Sequence, residues 1–105
     1  MSSEIEPSQA FLKLSADVLS ELDIRYMEAN LDQQLALRYQ LDRAMLTYSR
    51  ARLAILKNQV QLTPEDVIKM RELREQLSQT SRFNQIFDLA LGFIGLLRDR
   101  FTTFS

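Results

Sequence analysis

Apolar residues recur along the chain every three or four positions and fall into four separate sets. At 100° per residue, this spacing places each set on one face of an α-helix. The first two sets are Phe11, Ser15, Val18, Leu19, Leu22, Tyr26 and Ala29, then Leu37, Leu41, Ala44, Tyr48, Ala51 and Ile55. The last two are Met70, Leu73 and Leu77, then Phe83, Ile86, Phe87, Ala90, Phe93, Ile94, Leu97, Phe101 and Phe104. The pattern predicts helices at 8–29, 32–60, 64–78 and 81–101, with ends good to about three residues.

Polar residues mark the boundary between the first two predicted helices. The second apolar stripe is rotated from the first by roughly 70°, and Asn30, Gln33 and Gln34 interrupt the apolar face between them. Asn30 or Asp32 could cap a new helix. We therefore expect a break near residue 30, and the alternative is one long, kinked N-terminal helix.

The clearest helix start is the segment that begins at Thr63. Thr63 can accept a capping hydrogen bond, and Pro64 suits the first helical position because it has no N–H to leave unpaired. Glu65 and Asp66 follow, and their carboxylates meet the positive end of the helix dipole. The third helix should therefore begin at residue 64.

A second change of phase separates the last two predicted helices. On one continuous helix, their apolar stripes would point roughly 170° apart. One helix would then need a core on both sides. We expect a break within residues 78–82, with Thr80 or Ser81 as the cap.

These elements together predict an all-α fold, a small antiparallel bundle of about four helices. Apolar residues make up 46% of the 105 residues, and Gly and Pro number only two each, which disfavours a turn-rich β protein. We expect residues 1–7 to form a disordered N-terminal tail and residues 8–105 to form a single domain.

The residue types that most often perform catalysis or bind metals are missing from the sequence. It contains no Cys and no His, so it lacks thiolate chemistry, the commonest metal ligand and the usual general base near pH 7. Asp17, Glu21 and Glu28 share part of one helix face, where carboxylates could hold Mg²⁺ or Ca²⁺. We interpret them as a solvated acidic face. The sequence therefore predicts a protein that is not an enzyme, with no catalytic residue, cofactor or metal site.

The distribution of apolar residues also bears on the compartment. The N-terminus carries Glu4 and Glu6 and lacks the basic run of a signal peptide. The longest apolar run, 86–97, is interrupted by Asp88 and is too short to span a bilayer. We expect a cytoplasmic protein without integral membrane insertion.

Charge is distributed unevenly between the first two helices. Residues 1–32 hold seven acidic residues against two basic ones, whereas residues 33–57 hold five basic residues against Asp42 alone. Arg43, Arg50 and Lys57 recur every seven residues on the face opposite the apolar stripe. This basic stripe could meet a phosphate backbone or the acidic helix of a partner. A pI near 5.4 disfavours nucleic acid, so we interpret the stripe as a solvated surface or one that faces a protein partner.

The last helix has an unusually broad apolar face. Leu91 and Leu96 lie on its two flanks, and Phe104 lies beyond its end. A helix that is apolar on nearly all sides is buried on nearly all sides, so these three residues are the candidate interface with another chain. A membrane surface is the alternative, but helices that bind membranes usually carry Lys and Arg on the polar face. We expect a non-enzymatic interaction protein that forms homo-oligomers.

Overall fold

The computed structural model describes residues 6–101 and contains four α-helices in that range, with no strand. They are α1 (Pro7–Glu28), α2 (Leu31–Leu56), α3 (Pro64–Gln79) and α4 (Phe83–Phe101). The all-helical prediction and the four-helix count are therefore confirmed. The predicted tail overlaps residues 1–5, which lie outside the described residues, and Pro7 is already the first residue of α1.

The predicted break near residue 30 is confirmed, and the polar residues that signalled it build the break. Asn30 caps α2: its side chain accepts a hydrogen bond from the Gln33 N–H at 2.8 Å, and the Gln33 side chain accepts one from the Asn30 N–H at 3.2 Å. The Gln34 amide donates to the Tyr26 carbonyl at the end of α1, at 2.9 Å. Each side chain satisfies a backbone group that a helix end would otherwise leave unpaired.

The start of α3 is also confirmed. Thr63 Oγ1 accepts from the Asp66 N–H at 3.3 Å, and Asp66 Oδ2 accepts from the Thr63 N–H at 2.9 Å. Asp66 is buried and forms an ion pair with Arg100 of α4, at 3.2 Å. Arg100 also donates to the Gln61 carbonyl. The capping group of α3 therefore also anchors the end of α4.

The predicted end of the second helix, at residue 60, is wrong, because the helix stops at Leu56. Asn58 adopts a left-handed conformation, with φ of 55°. Its N–H donates to the Ile55 carbonyl, and the Gln59 N–H donates to the Ala54 carbonyl. This is the Schellman arrangement, in which Asn can replace the usual Gly.

The predicted break within residues 78–82 is confirmed. α3 ends at Gln79 and α4 begins at Phe83. Thr80 lies in the break, where its hydroxyl accepts from the Arg82 N–H at 3.2 Å and donates to the Gln85 side chain at 2.6 Å.

Helix packing departs from a simple antiparallel bundle. α1 packs most extensively against α3, and α2 against α4, while α2 and α3 make no contact with each other within residues 6–101. The C-terminal end of α1 contacts the C-terminal end of α3 through Arg25, so these two neighbours run parallel. The segment 57–63 joins α2 to α3 and is long enough to cross the end of the bundle diagonally.

The core is formed by the predicted apolar faces. Phe11 at the start of α1 lies near Phe101 at the end of α4, with ring centroids 6.3 Å apart. The largest fully buried apolar side chains come from all four helices, namely Phe11, Val18, Leu22, Leu37, Met70, Leu77, Phe93 and Leu97. Each belongs to one of the four sets that recur every three or four positions.

Candidate interaction surfaces

Two of the three acidic residues that could have held a cation form ion pairs with arginines. Asp17 lies 3.2 Å from Arg74, and Glu21 lies 2.9 Å from Arg25. Glu28 is exposed near the end of α1. Within residues 6–101, no three Asp or Glu side chains group closely enough to hold a metal ion.

The flanks of α4 differ in exposure. Leu91 is 40% exposed, while Leu96 is partly buried and packs against the core. Phe104, the third residue of the predicted interface, lies outside the described residues. Phe87 and Leu89 also pack against the core, so most of the broad apolar face of α4 is covered within the chain. Leu91 is the flank residue that stays available to a partner.

The predicted basic stripe lies on α2 and at its end. Arg43 is partly buried, donates to the Gln40 side chain at 3.2 Å and lies over the Tyr39 ring, 5.6 Å from its centroid. Arg50 is exposed, and so is Lys57, the residue that follows α2. The stripe is therefore on the surface, and its first member is held in place by neighbours on the same helix.

Two members of this stripe, Arg43 and Arg50, share a surface cleft with a third arginine. Arg98 of α4 lines the same cleft as Arg43 and Arg50, and the cleft has a volume of about 230 Å³. Leu46 and Phe101 contribute apolar surface to it. Arginine side chains around an apolar patch suit a carboxylate attached to an apolar group.

The structure exposes a second apolar stripe on α2 that the sequence-based interpretation did not identify. It follows a seven-residue repeat, with spacings that alternate between four and three, and every member is exposed. We call it the outer seam, which consists of Leu35, Tyr39, Asp42, Leu46, Ser49, Leu53 and Leu56. Its five apolar members are each between 52% and 67% exposed.

The outer seam lies opposite the buried face of the same helix. At 100° per residue, its centre is rotated by roughly 160° from the stripe that contains Leu37, Ala44 and Ile55. α2 therefore has two apolar faces, one in the core and one facing outward. Other large apolar residues are exposed on the same helix and on α1, namely Leu31 and Met45 of α2 and Ile24 and Met27 of α1.

Arginines border the outer seam on both sides. Arg38 and Arg52 follow one edge, and Arg43 and Arg50 follow the other. We call these four residues the basic flanks. Within this part of α2, the only acidic residue is Asp42, a member of the seam itself.

No helix within residues 6–101 is long and apolar enough to cross a membrane. No protein-family model, curated protein sequence or solved structure matches the chain.

Proposed function

We propose that this protein is a non-enzymatic interaction module, which acts as an adaptor, scaffold or regulatory subunit and assembles as a helical homo-oligomer. The observation that carries the proposal is the outer seam of α2. Single exposed apolar side chains are ordinary on protein surfaces, but a set of them along one helix face commonly marks an interaction site. A regular repeat along a helix is the pattern that packs against another helix.

The size of the seam sets what it can do alone. Burying a Leu side chain completely contributes about 1.5–3 kcal/mol, and the five apolar seam residues are already partly covered. On average about 60% of these five side chains is still exposed, so covering the rest would contribute roughly 4–9 kcal/mol. Association costs about 4–15 kcal/mol in lost freedom of motion. The seam alone therefore supports only weak association. The residues next to the seam determine its affinity and its choice of partner.

Self-association is proposed to use the flank of α4 at Leu91. Light scattering should show a species larger than one chain at high micromolar concentration. Leu91→Glu should give a smaller, still helical species, since it places a charge in a largely dry interface. Ile68→Glu is the matched control, because Ile68 is also exposed but lies on α3. A wild-type chain that stays monomeric at these concentrations would remove the homo-oligomer from the proposal.

A nucleic-acid-associated regulator is the second candidate, and the cleft that joins Arg98 to Arg43 and Arg50 favours it. Three arginines near one another can contact successive phosphates. Binding to duplex DNA at low salt should then fall steeply as salt rises, and Arg43→Gln with Arg50→Gln should reduce the salt dependence. Lys69→Gln with Arg71→Gln, on α3, is the control for charge alone. Absence of low-salt binding would exclude this candidate.

A further inference from the structure

We infer that the outer face of α2 is the docking site for a helix of a different protein, one with an apolar stripe bordered by acidic residues. The inference rests on the proposed function and names the chemistry of the partner. Two features of the face carry it: the charges on both edges of the outer seam and the polar residues at its centre.

The seven-residue repeat gives each residue of this face a defined position in a helix pair. Leu35, Leu46 and Leu53 belong to the seam that would contact the partner helix directly. The basic flanks occupy the positions next to the seam, where side chains meet the edges of the partner. Charges at these positions set which helices pair, because opposite charges attract across the edge and like charges repel.

A second copy of α2 does not suit this face. In an antiparallel pair centred on Leu46, Arg43 would lie opposite Arg50 of the other copy, and Arg38 opposite Arg52. Symmetry repeats each of these contacts. In a parallel pair, Arg38 would lie opposite Arg43 of the other copy. Both arrangements place arginine against arginine along the edges, so the basic flanks select against self-pairing and for an acidic partner.

The centre of the seam distinguishes a helix from a lipid surface. Asp42 and Ser49 are both exposed members of the seam. If the seam lay on a bilayer, the Asp42 carboxylate would be pressed toward the acyl region, where an unpaired charge is strongly disfavoured. A partner helix can instead place a polar residue opposite Asp42, which also fixes the alignment of the two helices. These polar positions favour a helical partner over an anionic membrane.

The cleft beside the seam strengthens the same assignment. Leu46 belongs to the seam and also lines the cleft with Arg43, Arg50 and Arg98. An acidic side chain on the edge of a docked helix would lie beside this cleft. Arginine is well suited to hold a carboxylate there, because its planar group can make two parallel hydrogen bonds.

The test uses two designed peptides of about four heptads that differ only in edge charge. Both peptides carry a stripe of Leu residues with one central Asn along the face that would contact α2. The Glu peptide has Glu at the positions that border this stripe, and the Lys peptide has Lys there. Fluorescence anisotropy with the full chain should show that the Glu peptide binds at least about tenfold more tightly than the Lys peptide. Its affinity should fall as salt rises. Equal binding of the two peptides, or no binding of either, would overturn the inference.

Variants place the binding on α2. Leu53→Glu should weaken binding of the Glu peptide, whereas Ile68→Glu on α3 should not. Replacing exposed Arg38, Arg50 and Arg52 by Glu should reverse the preference so that the Lys peptide binds better. The control for this charge reversal is Lys69→Glu with Arg71→Glu, which are exposed on α3. Loss of binding without reversal, in a variant that keeps wild-type circular dichroism, would contradict the assignment of the flanks.

Vesicles of phosphatidylserine and phosphatidylcholine test whether the outer seam binds a membrane surface in place of a helix. Vesicle binding that Leu53→Glu abolishes, together with no binding of the Glu peptide, would replace the helical partner by a membrane and overturn the inference. The mass of the chain without peptide is read separately by light scattering. A monomer that binds the Glu peptide therefore refutes only the homo-oligomer, and an oligomer that does not bind it refutes only this inference.

Discussion

Replacing Arg25 by Met removes the guanidinium that connects α1 to the end of α3 while it keeps most of the apolar stem. Arg25 Nε donates to Glu21 at 2.9 Å, and Nη2 donates to the Leu77 carbonyl at 3.0 Å. Nη1 donates to the Thr80 carbonyl. The carbonyls at the end of a helix have no partner within the helix, so a cation that binds them acts both as a cap and as a countercharge to the helix dipole.

The expected loss follows from these contacts and from burial. A hydrogen bond that involves a charged group contributes about 1.5–3 kcal/mol, and a cation at a helix C-terminus adds about 0.3–1 kcal/mol. The Arg25 side chain is only 14% exposed, so water replaces these contacts poorly. Arg25→Met should lower the free energy of unfolding by about 2–4 kcal/mol. For a domain of this size, that is a fall in Tm of roughly 10–20 °C.

Arg74→Met is the matched control. Arg74 also forms an ion pair between α1 and α3, but it and Asp17 are each 41% exposed. Exposed pairs contribute about 0–1 kcal/mol and weaken with salt. The measurement is urea unfolding followed by circular dichroism in about 0.03 M and about 0.5 M salt, between which the screening length shortens about fourfold. Arg25→Met should show a large loss of unfolding free energy that hardly depends on salt. Equal losses for the two variants would refute the stabilising role of the contacts between Arg25 and the end of α3.

Three further substitutions test local features by urea unfolding. Thr63→Ala should cost about 1 kcal/mol, because it removes the side chain that caps α3, and no loss would contradict the capping geometry. Gly95→Ala should stabilise the chain by about 0.5–1 kcal/mol, since an added Cβ would meet no atom within 4 Å; destabilisation would indicate that another chain packs there. Phe93→Ala should cost about 3–5 kcal/mol, because Phe93 is fully buried and Ala leaves a cavity. A loss below about 1 kcal/mol would contradict that burial.

Local signals explain why much of the fold could be predicted from the sequence. Asn30 and Thr63 cap helices with their own side chains, and capping depends on only three or four neighbouring residues. The buried stripes follow the helical period, so their faces could be assigned without knowledge of the partners. The end of α2 was less predictable, because Asn58 adopts a left-handed conformation that Asn permits but does not require.

Helix pairing and surface exposure could not be predicted in the same way. The parallel contact between α1 and α3 depends on the path of 57–63 across the bundle, and the sequence has no local signal for that path. Leu96 lies on a flank of α4 and was expected to be available, yet neighbouring helices cover part of it. The outer seam was missed because Asp42 and Ser49 interrupt its apolar residues and because α2 already had a complete inner stripe.

The most direct test of the docking face uses cysteine labelling, because the chain has no Cys of its own. Ser49→Cys places one thiol at the centre of the outer seam, and Ser78→Cys is a matched exposed site on α3, since both serine hydroxyls donate to a carbonyl of their own helix. Without peptide, both thiols should react with a maleimide at similar rates. The Glu peptide should slow the reaction of the thiol at residue 49 at least about tenfold and leave the rate at residue 78 unchanged. Protection of neither site would contradict the account, and so would protection of residue 49 by higher protein concentration alone.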